Sequence, residues 1–586
     1  MRVIIMSIFA LLMTVSMSAQ NPLMENTLRE KIRTGNHKTT KILNSLEKSA
    51  DADDSKISDN TELDEGEPYI AINPTDSLNI VVSFMAFTAD SELDFPIYTS
   101  FDGGESWALS SYNARGVLNP NGLNLGGGDP LLAFDSSGRL YFGHLYLAAT
   151  DFSDFLNPTF TIYWAYSDDG GLNFEIPDDN IMAQAKVGLL DGLVTDGDGV
   201  FDRPWYAVDN SGGNCDGNLY VSGWFVASDT SSLPSGMVVK RKIAGQDTFV
   251  PTHTKVSIDT LVQFGNIQSD NQGTLHVTYG NINTDKLMYA RSTDCGETFS
   301  TPVSIGTFAW DEAATTYDIT DRDNPAMSLG VEPITGNVHA VWSSFENGVS
   351  KSYYVRSTDA GITWEPQKEF GDLIPNADVQ AYFPNLAVSP NGRVSISWYD
   401  LDANDSGHYV IAESLDGGAT FDDLTQLSSA VTPFADYECT SSPLGDTCPF
   451  FGDYFGSART DCRSYSVWSD GRDGQGPKIY MGITNHCGMV TGTTDFYPIT
   501  NKIALQSLYP NPARDEFYVE IALEQSSELN IRLQDTQGRP VRKIMAQSFT
   551  NGEHRISLNV NDLASGVYIL TIESDFGMIN KHFVKN

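Results

Sequence analysis

The sequence predicts an all-β chain, in which repeated four-stranded antiparallel sheets are followed by a small C-terminal β-sandwich. Three observations carry this expectation: a short box that recurs five times, strand-like runs in a fixed order before each copy, and an alternating apolar tail from residue 503. The boxes are Ser100-Phe-Asp102-Gly-Gly104-Glu-Ser-Trp107, Ser167-Asp-Asp169-Gly-Gly171-Leu-Asn-Phe174, Ser292-Thr-Asp294-Cys-Gly296-Glu-Thr-Phe299, Ser357-Thr-Asp359-Ala-Gly361-Ile-Thr-Trp364 and Ser414-Leu-Asp416-Gly-Gly418-Ala-Thr-Phe421. A pattern S-x-D-x-G-x-(T/S/N)-(W/F) recurring this often means that one supersecondary unit is repeated.

Each box reads as a β-turn joining two strands. The Asp carboxylate accepts hydrogen bonds from backbone N–H groups of its own loop, and the glycine two residues later supplies a position with φ > 0. The closing Trp or Phe starts the next strand and wedges between neighbouring sheets. Before the first box lie the runs Tyr69–Ile72, Asn79–Phe84 and Pro96–Thr99, so the unit is a four-stranded antiparallel sheet. First strands begin near Pro68, Pro130, Pro204, Phe264, Pro325, Pro384 and Tyr454. Intervals of about sixty to seventy residues suit one blade and its loops in a β-propeller.

The stretch Val238–Phe249 has lost the box, keeping Gly245 and Phe249, and the unit from Tyr454 to Ile483 ends without one. A segment before Glu67 is expected to supply the missing outer strand of that last unit and so close the ring. Seven blades are expected, with six as the alternative. The boxes resemble the Asp-box, or BNR, repeats of the sialidase-like propeller superfamily, over residues 66–487. The resemblance speaks for the fold; an activity has to be argued from a site.

The ends of the chain give the compartment. Residues 1–20 read as a secretory signal peptide, with Arg2, the mostly apolar Val3–Met17 and small residues before Gln20. That run is short for a membrane anchor, and nothing later reaches about eighteen apolar residues, so no transmembrane segment is expected. Residues 21–65 read as an acidic N-terminal arm or linker, and 488–502 as a second linker. The tail, 503–586, carries Tyr509-Pro-Asn-Pro-Ala513, Gly538-Arg-Pro-Val541 and Leu563–Ile572, and ends Lys581-His-Phe-Val-Lys585-Asn586. This combination resembles the C-terminal sorting domain of the Bacteroidetes type IX secretion system. The resemblance implies that the secretion machinery is a partner, and that the protein is released or attached to the outer surface.

A formal charge of −40, from 36 basic and 76 acidic side chains, argues against a nucleic acid or an anionic membrane as partner. Six cysteines in an exported chain point to disulfides rather than zinc ligands. Cys439 and Cys448 flank one loop, Cys462 and Cys487 bracket the seventh unit, and Cys215 with Cys295 would join neighbouring units.

In a propeller the residues just before the first strands lie at one mouth, and here they are polar: Glu67-Pro68, Asp129-Pro130, Asp202-Arg203-Pro204-Trp205, Asp321-Arg322-Asp323-Asn324-Pro325, Tyr382-Phe383-Pro384 and Gly452-Asp453-Tyr454. Such a ring suits holding a charged sugar and transferring protons, and the alternative is a repeated cap at each strand start. The candidate catalytic residues are Asp202, Arg203, Arg322, Asp323, Asp453, Tyr454 and Arg472. In the glycine-rich loop Asp191–Asp202, Asp196 and Asp198 are candidate ligands for calcium.

The sialidase resemblance implies three arginines gripping a substrate carboxylate, a tyrosine nucleophile activated by a glutamate, and an aspartate acid/base. The nearest match to the family's F/Y-R-I-P motif is Phe201-Asp-Arg203-Pro204, in the third unit instead of the first; Arg322, Arg459 and Arg472 would complete the arginines, and Tyr454 would be the nucleophile. The expected function is an exported exo-glycosidase acting on acidic sugars. The alternatives are a non-catalytic surface propeller that binds glycan or protein, and a polysaccharide lyase using Tyr with Arg or a histidine such as His144 or His408. Arginines gathered about one tyrosine favour the first, and arginines paired with local acids favour the binder.

Overall fold

Alternating side chains, with a turn box at the third strand's end in five of the units, fold each unit into one antiparallel sheet. The computed structural model describes residues 53–58, 64–87, 93–118, 122–309, 327–485 and 503–585, with residue 152 and short interruptions in the last two stretches excepted. Expectations for residues 1–20 and 488–502 lie outside the described residues, as do Arg322 and Asp323. The chain divides into two compact units, Met1–Thr484 and Asn485–Asn586.

The first unit is all-β, with seven successive antiparallel sheets of four or five strands among the described residues. The first sheet runs Asp64–Asn73, Asp76–Phe87, Ile97–Ser100 and Ala108–Leu109 in order of pairing. First strands of the next six begin at Leu123, Gly199, Val262, Met327, Gln380 and Gly456. Each first strand packs against that of the following sheet, and the first packs against the seventh. The fourth strand of the seventh sheet is Asp53–Lys56, paired antiparallel with Lys478–Asn485. Part of the stretch read as an N-terminal arm or linker is therefore a strand of the seventh sheet, in the place expected of a closing segment.

This closing strand is pinned by a buried ion cluster. Arg472 Nη2 lies 2.7 Å from Asp54 Oδ2 and 2.6 Å from Asp470 Oδ2, and the guanidinium carbon sits 4.0 Å above the Tyr480 ring. A bidentate guanidinium between two carboxylates fixes orientation as well as charge.

The boxes act as turns and also as inter-sheet contacts. In all five, Ser Oγ donates to the Asp carboxylate, which accepts the backbone N–H four residues on. Gly296, Gly361 and Gly418 hold φ of 73°, 76° and 75°, as the turn requires. An arginine of the preceding sheet donates to a box carbonyl: Arg241 to Cys295 at 3.0 Å, Arg291 to Ala360 at 2.9 Å and Arg356 to Gly417 at 2.7 Å. The closing aromatics lie on that preceding sheet, Trp364 4.8 Å from Tyr289 and Phe421 5.4 Å from Tyr354. Where the third sheet lacks its box, Lys242 takes the place of the serine and buries its ammonium 5.4 Å from the Tyr141 ring and 5.5 Å from that of Trp164.

Cys215, in the turn after the third sheet's first strand, is bonded to Cys295 in the fourth sheet's box. Cys462 is also disulfide-bonded.

The second unit has two sheets, one of Ile503–Tyr509, Glu516–Leu523 and Gly552–Asn559, the other of Pro540–Phe549, Ser527–Asp535, Gly566–Ser574 and Gly577–Lys585. Strict alternation puts Phe517, Val519 and Ile521 into a core with Leu529, Ile531, Leu533, Leu570 and Ile572.

Candidate functional site

Five of the seven first strands share a distortion that re-aims their side chains. Register shifts occur at Gly66/Tyr69, Gly128/Leu131, Asp202/Trp205, Gln263/Asn266 and Tyr382/Asn385. At each, a non-glycine residue holds a left-handed φ: Glu67 52°, Asp129 55°, Arg203 48°, Phe264 56° and Phe383 52°. A β-bulge of this kind bends the strand and turns one side chain, and a non-glycine residue adopts it only when its surroundings enforce it. Proline follows four of the five residues.

Four buried carboxylates and one arginine meet there. Glu67, Asp129, Asp202 and Asp453 are all less than a tenth exposed. Glu67 accepts the backbone N–H of Asp453 at 3.2 Å and that of Asp129 at 3.4 Å, tying the first, second and seventh sheets. Arg203 Nη2 donates to Asp453 Oδ2 at 2.7 Å, and its guanidinium carbon lies 4.3 Å over the Phe264 ring. Tyr454 OH donates to Asp129 Oδ1 at 3.3 Å. Trp205 stands 4.8 Å from Tyr69 and 5.4 Å from Tyr454, and these contacts leave Arg203, Trp205 and Tyr454 partly exposed.

The cluster is under-satisfied. Asp129 Oδ2 and the Nε and Nη1 of Arg203 are buried without a hydrogen-bond partner among the described residues. Burial, then the charge of Asp202, pushes the Asp129 carboxyl up to about 7, against the pull of Arg203. Burial opposes the charge of Arg203, but Asp453, Asp202, Asp129 and Glu67 outweigh it and hold the guanidinium protonated. Burial and then the Asp129 charge push the Tyr454 phenol well above its ordinary value, so it stays neutral.

Of the residues expected to be catalytic, Asp202, Arg203, Asp453 and Tyr454 come together here. Arg472 does not join them, because it is held by Asp54 of the outermost strand and Asp470 at the end of the second strand of the seventh sheet. Arg459, at the far end of the strand that follows Tyr454, pairs with Glu413 at 3.3 Å. The expected gathering of arginines is thus corrected for these two: each is drawn off by a carboxylate outside the cluster.

Asp196 and Asp198 are exposed, Asp196 3.9 Å from Lys186. Among the described residues no group of three or more His, Cys, Asp or Glu is placed to hold a metal ion. His144 is fully buried, pushed down to about 3 by that burial, and bonded to Tyr112 OH at 2.9 Å. His408 meets Ser428 Oγ at 3.1 Å.

Glu67 and Asp129 were legible only as polar residues at strand starts. The signal that singles them out is an acid directly before a proline at a bulge, where the acid takes the left-handed φ.

Residues 507–586 match the secretion system C-terminal sorting domain family. The protein is therefore secreted or carried on the cell surface. Among the described residues no helix is long and apolar enough to cross a membrane. No curated protein matches the chain. Similar solved structures include a protein of unknown function from Dyadobacter fermentans, 17% identical over 62% of this chain and 99% of that one, with a TM-score of 0.39. A leech intramolecular trans-sialidase is 14% identical over 61% of this chain and 68% of its own, TM-score 0.38. An ulvan lyase is 12% identical over 72% of this chain and 94% of its own, also at 0.38. At these scores the likenesses carry no argument about activity.

Proposed function

We propose that the protein is an exported, glycan-active propeller, with the seven sheets as its blades and a glycosidic bond cleaved at the cluster around its axis. Residues 66–487 with the closing strand Asp53–Lys56 form the propeller, residues 1–20 are the signal peptide, and 503–586 are the sorting sandwich. The observation that carries the reading is Asp129, a buried carboxyl held near neutrality beside a second carboxylate, Asp453, that is ion-paired. Carboxyl groups whose surroundings drive them apart are the usual basis for dividing acid from base.

In this reading Asp129 gives its proton to the departing glycosidic oxygen, Asp453, steadied by Arg203, faces the positive charge that develops on the sugar ring, and a water adds to that ring carbon as the bond breaks and returns a proton to Asp129. Tyr454 positions Asp129 through its hydroxyl. Trp205 and Tyr454 supply an aromatic rim for the sugar face. The carboxylates around Asp129, set against one guanidinium, suit a neutral or basic sugar better than the acidic one expected from the sequence, because a further anion would be repelled.

The test is release of sugar from a panel of neutral, amino and acidic glycosides by the purified exported protein and its Asp129→Asn variant. The variant is expected to lose about 100-fold or more of turnover without losing thermal stability. Equal turnover by the two proteins, or none by the wild type, would overturn the hydrolytic reading.

The second reading is a surface binder without turnover. It is favoured by one observation, the pairing of Arg459 and Arg472 with local acids. Glycan retention with no product release would decide for it.

A further inference from the structure

The inner cluster leaves one acceptor and two donors unmatched, and this combination specifies a ligand more narrowly than a ring of acids does. Asp129 is 1% exposed and its Oδ2 has no partner among the described residues; the Nε and Nη1 atoms of the partly exposed Arg203 are likewise buried without a partner there. Water would normally serve such atoms at a site of this polarity, and a ligand that binds there has to replace what water provides. Its complement is a strong donor for Asp129 with an acceptor beside it for Arg203.

The charge balance selects among donors. Glu67, Asp202 and Asp453 surround Asp129, with Arg203 as the cation they share. A carboxylated sugar would serve Arg203 but add a further negative charge. A neutral hydroxyl would serve Asp129 and leave the excess charge in place. An ammonium group answers both needs, since it donates to Asp129 and offsets the neighbouring carboxylates. A hydroxyl oxygen on the adjacent ring carbon is the kind of acceptor that Arg203 lacks. The rings of Trp205 and Tyr454 at the exposed side favour a cation as well as a sugar face.

We infer that the ligand of this cluster is a glycan bearing a free, protonated amine, a de-N-acetylated hexosamine, with its amine on Asp129 and a neighbouring hydroxyl on Arg203. The inference rests on the reading that the inner cluster is the glycan site, and it goes further by naming the ligand class; because a carboxylate paired with an ammonium has no proton for a departing oxygen, it goes with the binding reading and not with hydrolysis through Asp129. Binding displaces the proton that Asp129 otherwise keeps, so association below neutral pH releases a proton to buffer.

The experiment is titration calorimetry of the full exported chain at pH 6 with the β-1,4-linked glucosamine tetramer, its fully N-acetylated counterpart and the glucose tetramer, in two buffers of different ionisation enthalpy. The glucosamine tetramer is expected to bind about tenfold tighter or more than either other sugar and to release about one proton. Asp129→Asn is expected to bring the three affinities together and remove the proton release, and Asp202→Asn to narrow the preference. Equal affinity for the three tetramers, binding of none, or amine binding without proton release overturns the inference, and these readings need only the wild type. Turnover of neutral glycosides with no preference for the amine would leave the hydrolytic reading standing and sink this one. Amine preference without turnover would do the reverse.

Discussion

The box aspartates and Asp129 are the same residue type in one chain, yet their surroundings push them in opposite directions. Asp359 accepts from Thr363 Oγ1 at 2.6 Å, the Thr363 N–H at 2.8 Å, Ser357 Oγ at 2.8 Å and the Ile362 N–H at 3.1 Å. Those donors, the Thr363 hydroxyl first, pull its carboxyl down to about 2. Asp129 has one donor at 3.3 Å, one unmatched oxygen and other carboxylates around it, and is pushed up to about 7. A carboxylate saturated by its own loop is fully occupied with holding the turn. One left short of donors retains an affinity for a proton or a ligand.

The largest expected effect sets one region against the other. Asp129→Asn should lower turnover by about 100- to 10,000-fold and leave the melting temperature unchanged or higher. Asp359→Asn should cost about 1 kcal/mol of stability and leave turnover of the folded protein as it was. Activity assays and thermal melts on both variants check this, and a catalytic defect in folded Asp359→Asn would collapse the distinction.

Next in size is the ion cluster that pins the closing strand. Arg472→Ala strands Asp470 and Asp54 without their shared cation, and breaking a buried pair in this way costs about 3–5 kcal/mol. Urea unfolding should show that loss, while glycan affinity of the folded fraction stays within about twofold, since binding sites and distant scaffold contacts behave independently. A selective loss of affinity would return Arg472 to the site. Smaller again is Arg291→Ala, which removes the donor to the Ala360 carbonyl between the fourth and fifth sheets. It should cost about 1 kcal/mol in the same unfolding experiment.

Much of the fold was legible because the box states its own hydrogen bonds: serine, aspartate, glycine and aromatic each have one local task, and local tasks survive in sequence. The bond between Cys215 and Cys295 was legible for a related reason, as both lie in turns that the repeat places together. The inner site was half legible. Asp202, Arg203, Asp453 and Tyr454 could be picked out as polar residues at strand starts, but which arginine meets which acid depends on contacts between residues 250 apart, as for Arg203 and Asp453. Arg472 misled because a charged loop reads the same whether it faces a ligand or a strand arriving from the other end of the chain. Asp129 could not be weighted above the other acids, since its distinction is a missing donor, which no residue type records.

The smallest expected effect is a difference in the slope of stability against pH, and it has opposite signs in the two regions. Asp359 and Asp416 both sit near 2, below an ordinary aspartate near 3.9. Their contribution is therefore present above about pH 4 and lost as pH falls toward 2. Asp129 is raised to about 7. Its contribution is full below about pH 4 and lost as pH rises through 7, because the unfolded chain gives up the proton that the folded cluster retains. His144 and His339, held neutral by burial and lowered to about 3, add an acid-side loss that begins near pH 6.5. That loss is common to wild type and variants, so it cancels when they are compared. Unfolding free energies from pH 2 to 9 should show Asp129→Asn gaining on the wild type as pH rises from 5 to 8, and Asp359→Asn flattening only the acid limb. Parallel curves for wild type and Asp129→Asn across that upper range would mean that Asp129 is as well satisfied as a box aspartate, and the contrast between the two regions would fall.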